Sequence, residues 1–280
     1  MIYRLITFFI ITIMVILPLS LAGGHPLAAS EIESPAIDNK EVESYAHLSK
    51  KLVKAVRDGE PYEEITRKLA EVTPEELRED LANSSHDKAF WLNIYNAYVQ
   101  ILLLEDPELF EDRNSWFGYN FFSSPQVTIA GKKLSFDDIE HGIMRRSKFK
   151  LSLGYVSKPE LLVDDFIRKF WWEEVDPRIH FAVNCGAASC PYIAPFDPDR
   201  VEEQLEIATR QYLAENTDYD PDGNRVEVTR LMSWFRGDFG GVSGAIQMLK
   251  DYDIIPENTD PSVDFKEYDW TLELGNYQEL

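Results

Sequence analysis

Side chains able to do covalent or acid–base chemistry near neutral pH are scarce here, two cysteines and five histidines in 280 residues. Both cysteines lie in one stretch, Asp176 to Pro191, which reads DPRIHFAVNCGAASCP and also holds His180. Ile179, Phe181 and Val183 alternate with His180, Ala182 and Asn184, a period-two pattern that predicts a short half-buried strand over 179–184. Cys185, Gly186 and a run of small residues then lead to Cys190 and to Pro191, which blocks regular continuation. A cysteine at a strand end followed by small residues is well held, leaves room for a substrate, and can offer backbone N–H groups to an oxyanion.

Three chemistries suit these residues. A nearby imidazole lowers a thiol pKa and makes a thiolate nucleophile, with Cys185 the better nucleophile and His141 or His180 the base. His141 sits in IEHGIMRR, with Glu140 beside it and Arg145 four residues on, where a cation opposes protonation of the ring. The second chemistry is a disulfide between Cys185 and Cys190, the simplest fate of two cysteines in an oxidising compartment, although so short a loop gives little chain-entropy stabilisation. The third is a metal site of His141, His180, Cys185 and Cys190, disfavoured because C-x4-C is looser than a zinc knuckle; no metal and no other cofactor is expected. His180 on a strand reads equally as a hydrogen-bonded, half-buried residue. His25, His47 and His86 carry no constellation.

The elements that must position these groups are mostly helical. Lys88 to Leu104, KAFWLNIYNAYVQILLL, is apolar all round, which predicts a buried helix with Trp91 in a structural role. Asn93, Asn96 and Gln100 form a polar stripe on it. Buried amides need partners, so they either pin loop backbone or, at Asn93 or Asn96, face a cleft and hold an oxyanion. Helices are expected over 42–56, 61–71, 74–81, 163–172 and 201–215, with one or two around Met232 to Tyr252. Val127 to Leu134 reads as a small hairpin, and Ser135 caps the helix of His141. Arg225 to Thr229 and Tyr268 to Leu272 read as late strands, and Trp116 to Phe122 as an aromatic loop. Helices early, strands late and no βαβ alternation give an α+β class, a helical N-terminal half on a small, mainly antiparallel sheet.

Residues 1–29 read as a signal peptide or N-terminal anchor, with Arg4 before an apolar run from Leu5 to Ala22 and small-residue cleavage sites after it. Residues 30–40 read as a linker and 41–280 as a single domain, exported to the periplasm or beyond, meeting a membrane only through an uncleaved leader. A net charge of −21 argues against nucleic-acid binding, which needs a basic face. Hydrophobic content of 44% supports a packed core.

KAFWLNIYNAYV, IEHGIMRR, DPRIHFAVNCGAASCP, LMSWFRGDFG and YDWTLE together resemble, in order, the motifs of the domain-of-unknown-function 547 family over about 87–274. The resemblance implies a relation to papain-like and transglutaminase-like thiol enzymes, with the histidine preceding the cysteine, a permuted order. Cys185 and His141 are then the natural pair, Asn96 or Asn93 an oxyanion group and Asn184 an orienting one. Arg145 would pair with Glu140 or with a substrate carboxylate. The implied activity is a thiol-dependent hydrolase or acyl transferase acting on an amide or thioester of a small molecule or peptide. The alternative is an exported binding module in which Cys185 and Cys190 form an inert disulfide.

Overall fold

The computed structural model of the protein describes residues 43–114 and 120–280. The expected leader and linker, and Trp116, Phe117 and Tyr119 of the aromatic loop, lie outside the described residues.

Helix α1 (Tyr45–Asp58) begins where the Ser44 hydroxyl accepts the His47 N–H. Helices α2 (Glu63–Glu71) and α3 (Pro74–Asp80) follow. The second opens on a reciprocal Thr73/Glu76 capping box with Pro74 in the first turn, as the sequence predicts. The axis of the fold is α4 (Ser84–Glu105), capped by Asn83. Phe90, Trp91, Leu92, Ile94 and Val99 on it are fully covered, each contributing roughly 1.5–3 kcal/mol of apolar burial. Strands β1 (Val127–Ile129) and β2 (Lys132–Leu134) form the expected hairpin, Val127 opposite Leu134. Its turn donates from Ala130 and Gly131 to the last carbonyls of α2, Leu69 and Ala70, and so ties it to the helical half.

A second apolar cluster gathers around β3 (Asp218–Asp220), β4 (Arg225–Val228) and β5 (Ser262–Phe265). β3 and β4 pair antiparallel, β4 and β5 parallel. Val226 and Val228 meet residues of α6 (Val201–Glu215), α7 (Leu231–Trp234) and α8 (Gly241–Asp251) there. The class is α+β with small sheets, and α5 (Asp165–Phe170), capped by Asp164, completes the α-helices among the described residues. Among the described residues no helix is long and apolar enough to cross a membrane.

Two expected strands are absent. Pro177–Phe181 is a 3₁₀ helix, started by Pro177 in its first turn and by the Asp176 carboxylate accepting from Arg178 N–H. Ile179, His180, Phe181 and Ala182 are all buried, so the alternation there marks two buried sides and not one wet face. Tyr268 to Leu272 forms only an isolated bridge, Leu272 with Ala187, and docks on the cysteine loop through Ala188 N–H to Thr271 O (2.8 Å) and Glu273 N–H to Gly186 O (2.8 Å).

Candidate functional site

The amide stripe of α4 is the scaffold for the cysteine loop. Asn96 donates to Ala182 O (2.9 Å) and accepts from Asn184 N–H (2.8 Å), clamping the backbone just before Cys185. Asn93 donates to Ser49 Oγ and Phe196 O and accepts from Phe196 N–H, fixing the far end of the same segment. Gln100 accepts from Gly275 N–H, in the C-terminal tail. Asn184 donates to Pro191 O (2.7 Å) and accepts from Gly186 N–H (2.9 Å), closing the loop on itself. These amides are spent on backbone, and the expectation that Asn93 or Asn96 holds an oxyanion is corrected: they position. Trp91 is wholly buried, edge-on to Phe90 and Phe170.

Within the loop Cys185 and Cys190 form a disulfide, their Cα atoms 6.2 Å apart. Gly186 has φ +91°, and a Cβ there would come within 2.8 Å of Leu103 on α4, so both conformation and space call for glycine. The Tyr268 hydroxyl lies 3.6 Å from Cys185 Sγ and 3.2 Å from Cys190 Sγ. Burial pushes that phenol well above its ordinary pKa, so it stays a neutral donor.

His141 and Glu140 come from a π-helix, Asp138–Met144, opened by Ser135 and Asp138, each side chain accepting from the other's backbone N–H. The wide π turn is a rare conformation that recurs at functional sites. Arg145 Nη1 lies 2.7 Å from His141 Nδ1. A guanidinium only donates, so Nδ1 must accept and the ring proton sits on Nε2. Burial, then the Arg145 charge, hold the imidazole pKa well below its usual value. His141 is therefore neutral with its lone pair occupied, which corrects its expected role as the base of Cys185. Burial raises the Glu140 carboxyl to about 7, partly offset by Arg145. Its Oε2 lies 3.3 Å from the Tyr95 hydroxyl and its Oε1 3.4 Å from His141 Nδ1.

Arg145 pairs with neither Glu140 nor open solvent. It is fully buried, and its Nε donates to Asp238 Oδ2 at 2.5 Å, while His180 Nε2 donates to the same oxygen at 2.9 Å. Burial alone would raise Asp238, but the bonds from His180 and Arg145 outweigh it and hold the carboxyl low. His180, flat on Phe235 at 3.9 Å, is driven by burial down to about 4 despite Asp238, so it too is neutral at pH 7.

Cys185, Cys190, Glu140, His141 and His180 all line one pocket of about 390 Å³. Its walls are aromatic: Trp234, Tyr268 and Trp270 contact one another with centroids 4.8–5.7 Å apart. Lys150 and Asp137, paired at 2.9 Å, also line it. The fold thus brings the distant His141 and Cys185 motifs to one cavity, while Asn93, Asn96, Asn184 and Arg145 support it from behind. The disfavoured metal alternative of His141, His180, Cys185 and Cys190 lacks ligands here, since both sulfurs are bonded and the His141 Nδ1 lone pair is taken. Sequence reasoning missed Tyr268, Trp234 and Asp238. Their only signal was membership of the late motifs YDW and LMSWFRGDFG.

Residues 79–213 match the model of the family described as protein of unknown function, DUF547. No curated protein and no solved structure matches the chain.

Proposed function

We propose, from the premise that residues 79–213 carry the DUF547 family's domain, that the pocket is the active site of a thiol-dependent hydrolase or acyl transferase. The observation that carries this reading is the meeting, in one aromatic cavity, of Cys185 with a carboxyl, Glu140, whose pKa of about 7 suits a general base. The disulfide is the resting form. A small thiol or dithiol reduces it, being oxidised in turn, and Cys185 is freed.

Glu140 then takes the thiol proton, and the thiolate attacks an amide or thioester carbonyl. The amine or thiol leaves with a proton from Glu140, and water or a second nucleophile resolves the acyl-enzyme. The neutral His141 offers its Nε2–H, and Tyr268 its hydroxyl, to developing negative charge. The aromatic walls favour a flat or apolar acyl group. Export from an N-terminal leader would place the site where its disulfide persists until reduced.

The bonded cysteines and the ring-lined walls also favour a second reading, a binding module in which the disulfide is a staple. One experiment separates the two. Reduced protein is alkylated with iodoacetamide at pH 7, and hydrolysis of an aryl thioester is followed with and without dithiol. The enzyme reading expects Cys185 to be labelled, and turnover to need reduction and vanish in Cys185→Ala. Turnover that survives Cys185→Ala, or no turnover with slow labelling, sinks it.

A further inference from the structure

At the N-terminal end of α4, three elements meet at a second constellation. His47 is in the first turn of α1, His86 in the first turn of α4, and Asp197 and Asp199 in the turn leading to α6. His47 Nε2 stands 3.5 Å from Asp199 Oδ2, and His86 Nε2 stands 4.0 Å from Asp199 Oδ1. The two imidazoles are edge to face with centroids 5.9 Å apart. Donor atoms of His47, Asp197 and Asp199 all lie within 4.8 Å of one another.

We propose that His47, His86, Asp197 and Asp199 form a binding site for one divalent cation of the zinc type. Bonds of about 2.0–2.2 Å in a tetrahedron set neighbouring ligand atoms about 3.3–3.6 Å apart, close to the His47–Asp199 spacing. His86 lies outside that close group and joins it by rotation of Asp199, 72% exposed, toward its ring 4.0 Å away. Two imidazoles with two carboxylates select a borderline metal, whereas calcium and magnesium want oxygen-only sets.

The surroundings hold the ligands in place. Ser44 Oγ lies 2.8 Å from His47 Nδ1, so it accepts the Nδ1 proton in the tautomer that leaves Nε2 free for a metal. Asp197 is steadied by Lys50 and by accepting from Asp199 N–H at 3.0 Å. Lys50 competes for the same carboxylate, which predicts moderate affinity. The cation would staple the starts of α1 and α4 to the turn after Phe196, whose backbone Asn93 already holds. It would thus secure the far end of the segment that carries the disulfide.

The test is calorimetric titration of the full chain with zinc chloride, after chelator treatment, beside magnesium and calcium chloride. One zinc per chain is expected, with a raised Tm, and about tenfold or greater weakening in His47→Ala, in His86→Ala and in the highly exposed Asp199→Asn. Lys50→Met should tighten binding. Cobalt should give the strong visible bands of a tetrahedral site. Absent zinc binding, binding that all three variants leave unchanged, or magnesium bound as well as zinc, each overturns the site.

Discussion

Two buried polar assemblies flank the cysteine loop, and they are built on different terms. Asn93 and Asn96 use both amide atoms on backbone partners. The chain Arg145–Asp238–His180 is charged and less complete: Arg145 Nη2, Asp238 Oδ1 and His180 Nδ1 find no hydrogen-bond partner among the described residues. A satisfied neutral network makes a rigid frame. A charged one with orphaned atoms, one member lining the pocket, sits where an ordered water or a ligand's polar group would complete it. The contrast separates parts that hold the site from parts that face its contents.

The largest effect should come from cutting the charged chain. Arg145→Met leaves the Asp238 carboxylate buried with one partner fewer, and urea denaturation should show a loss of about 3–5 kcal/mol. Arg145→Met with Asp238→Leu should recover much of it. A loss under about 1 kcal/mol in the single variant would mean the chain is already open to water.

Asn96→Ala comes next. It strands Ala182 O and Asn184 N–H, each costing about 1–3 kcal/mol, so a loss near 3 kcal/mol is expected in the same titration. If Asn96→Ala instead left stability intact while slowing Cys185 alkylation, the amide would belong to the site and the contrast would dissolve.

Glu140 gives a pH signature. Its folded pKa of about 7 lies above the ordinary 4.5, so the folded state keeps the proton longer and this group's contribution falls as pH rises between those values. Glu140→Gln should therefore gain on the natural protein across pH 4.5–7, by on the order of 3 kcal/mol, read from Tm or urea midpoints. Thioester hydrolysis should rise through pH 7 in the natural protein and be lost in the variant. A flat stability difference would show that Glu140 is not held in an apolar setting.

The smallest change is Gly186→Ala, which forces a left-handed alanine against Leu103 and should cost about 1–3 kcal/mol. It tests the frame without touching a polar atom, so measurable loss with unchanged Cys185 labelling keeps frame and site distinct.

Much of the frame was legible in local pattern. The apolar run of α4, the Thr73/Glu76 box, the hairpin at 127–134 and helix 201–215 follow from periodicity and caps that act within a few residues. The strand expected over 179–184 failed because alternation signals a strand only when one side is wet, and here Asp176 and Pro177 open a buried helical turn. The candidate site was half legible. Cys185 and His141 stand out by residue type, but a base is defined by where its lone pair points, and Arg145 decides that for His141.

The amino-acid sequence by itself determined the α+β class, the buried amide helix and the two motifs that face the pocket, because these depend on short-range pattern. Only the tertiary structure decided which amides bind backbone, that Tyr268 reaches both sulfurs, that Glu140 and not His141 has a pKa suited to a base, and that His47 and His86 converge on Asp199. The physical reason is common to all four. Hydrogen bonding, desolvation and ligation are set by neighbours brought from far along the chain, and no local spacing records them.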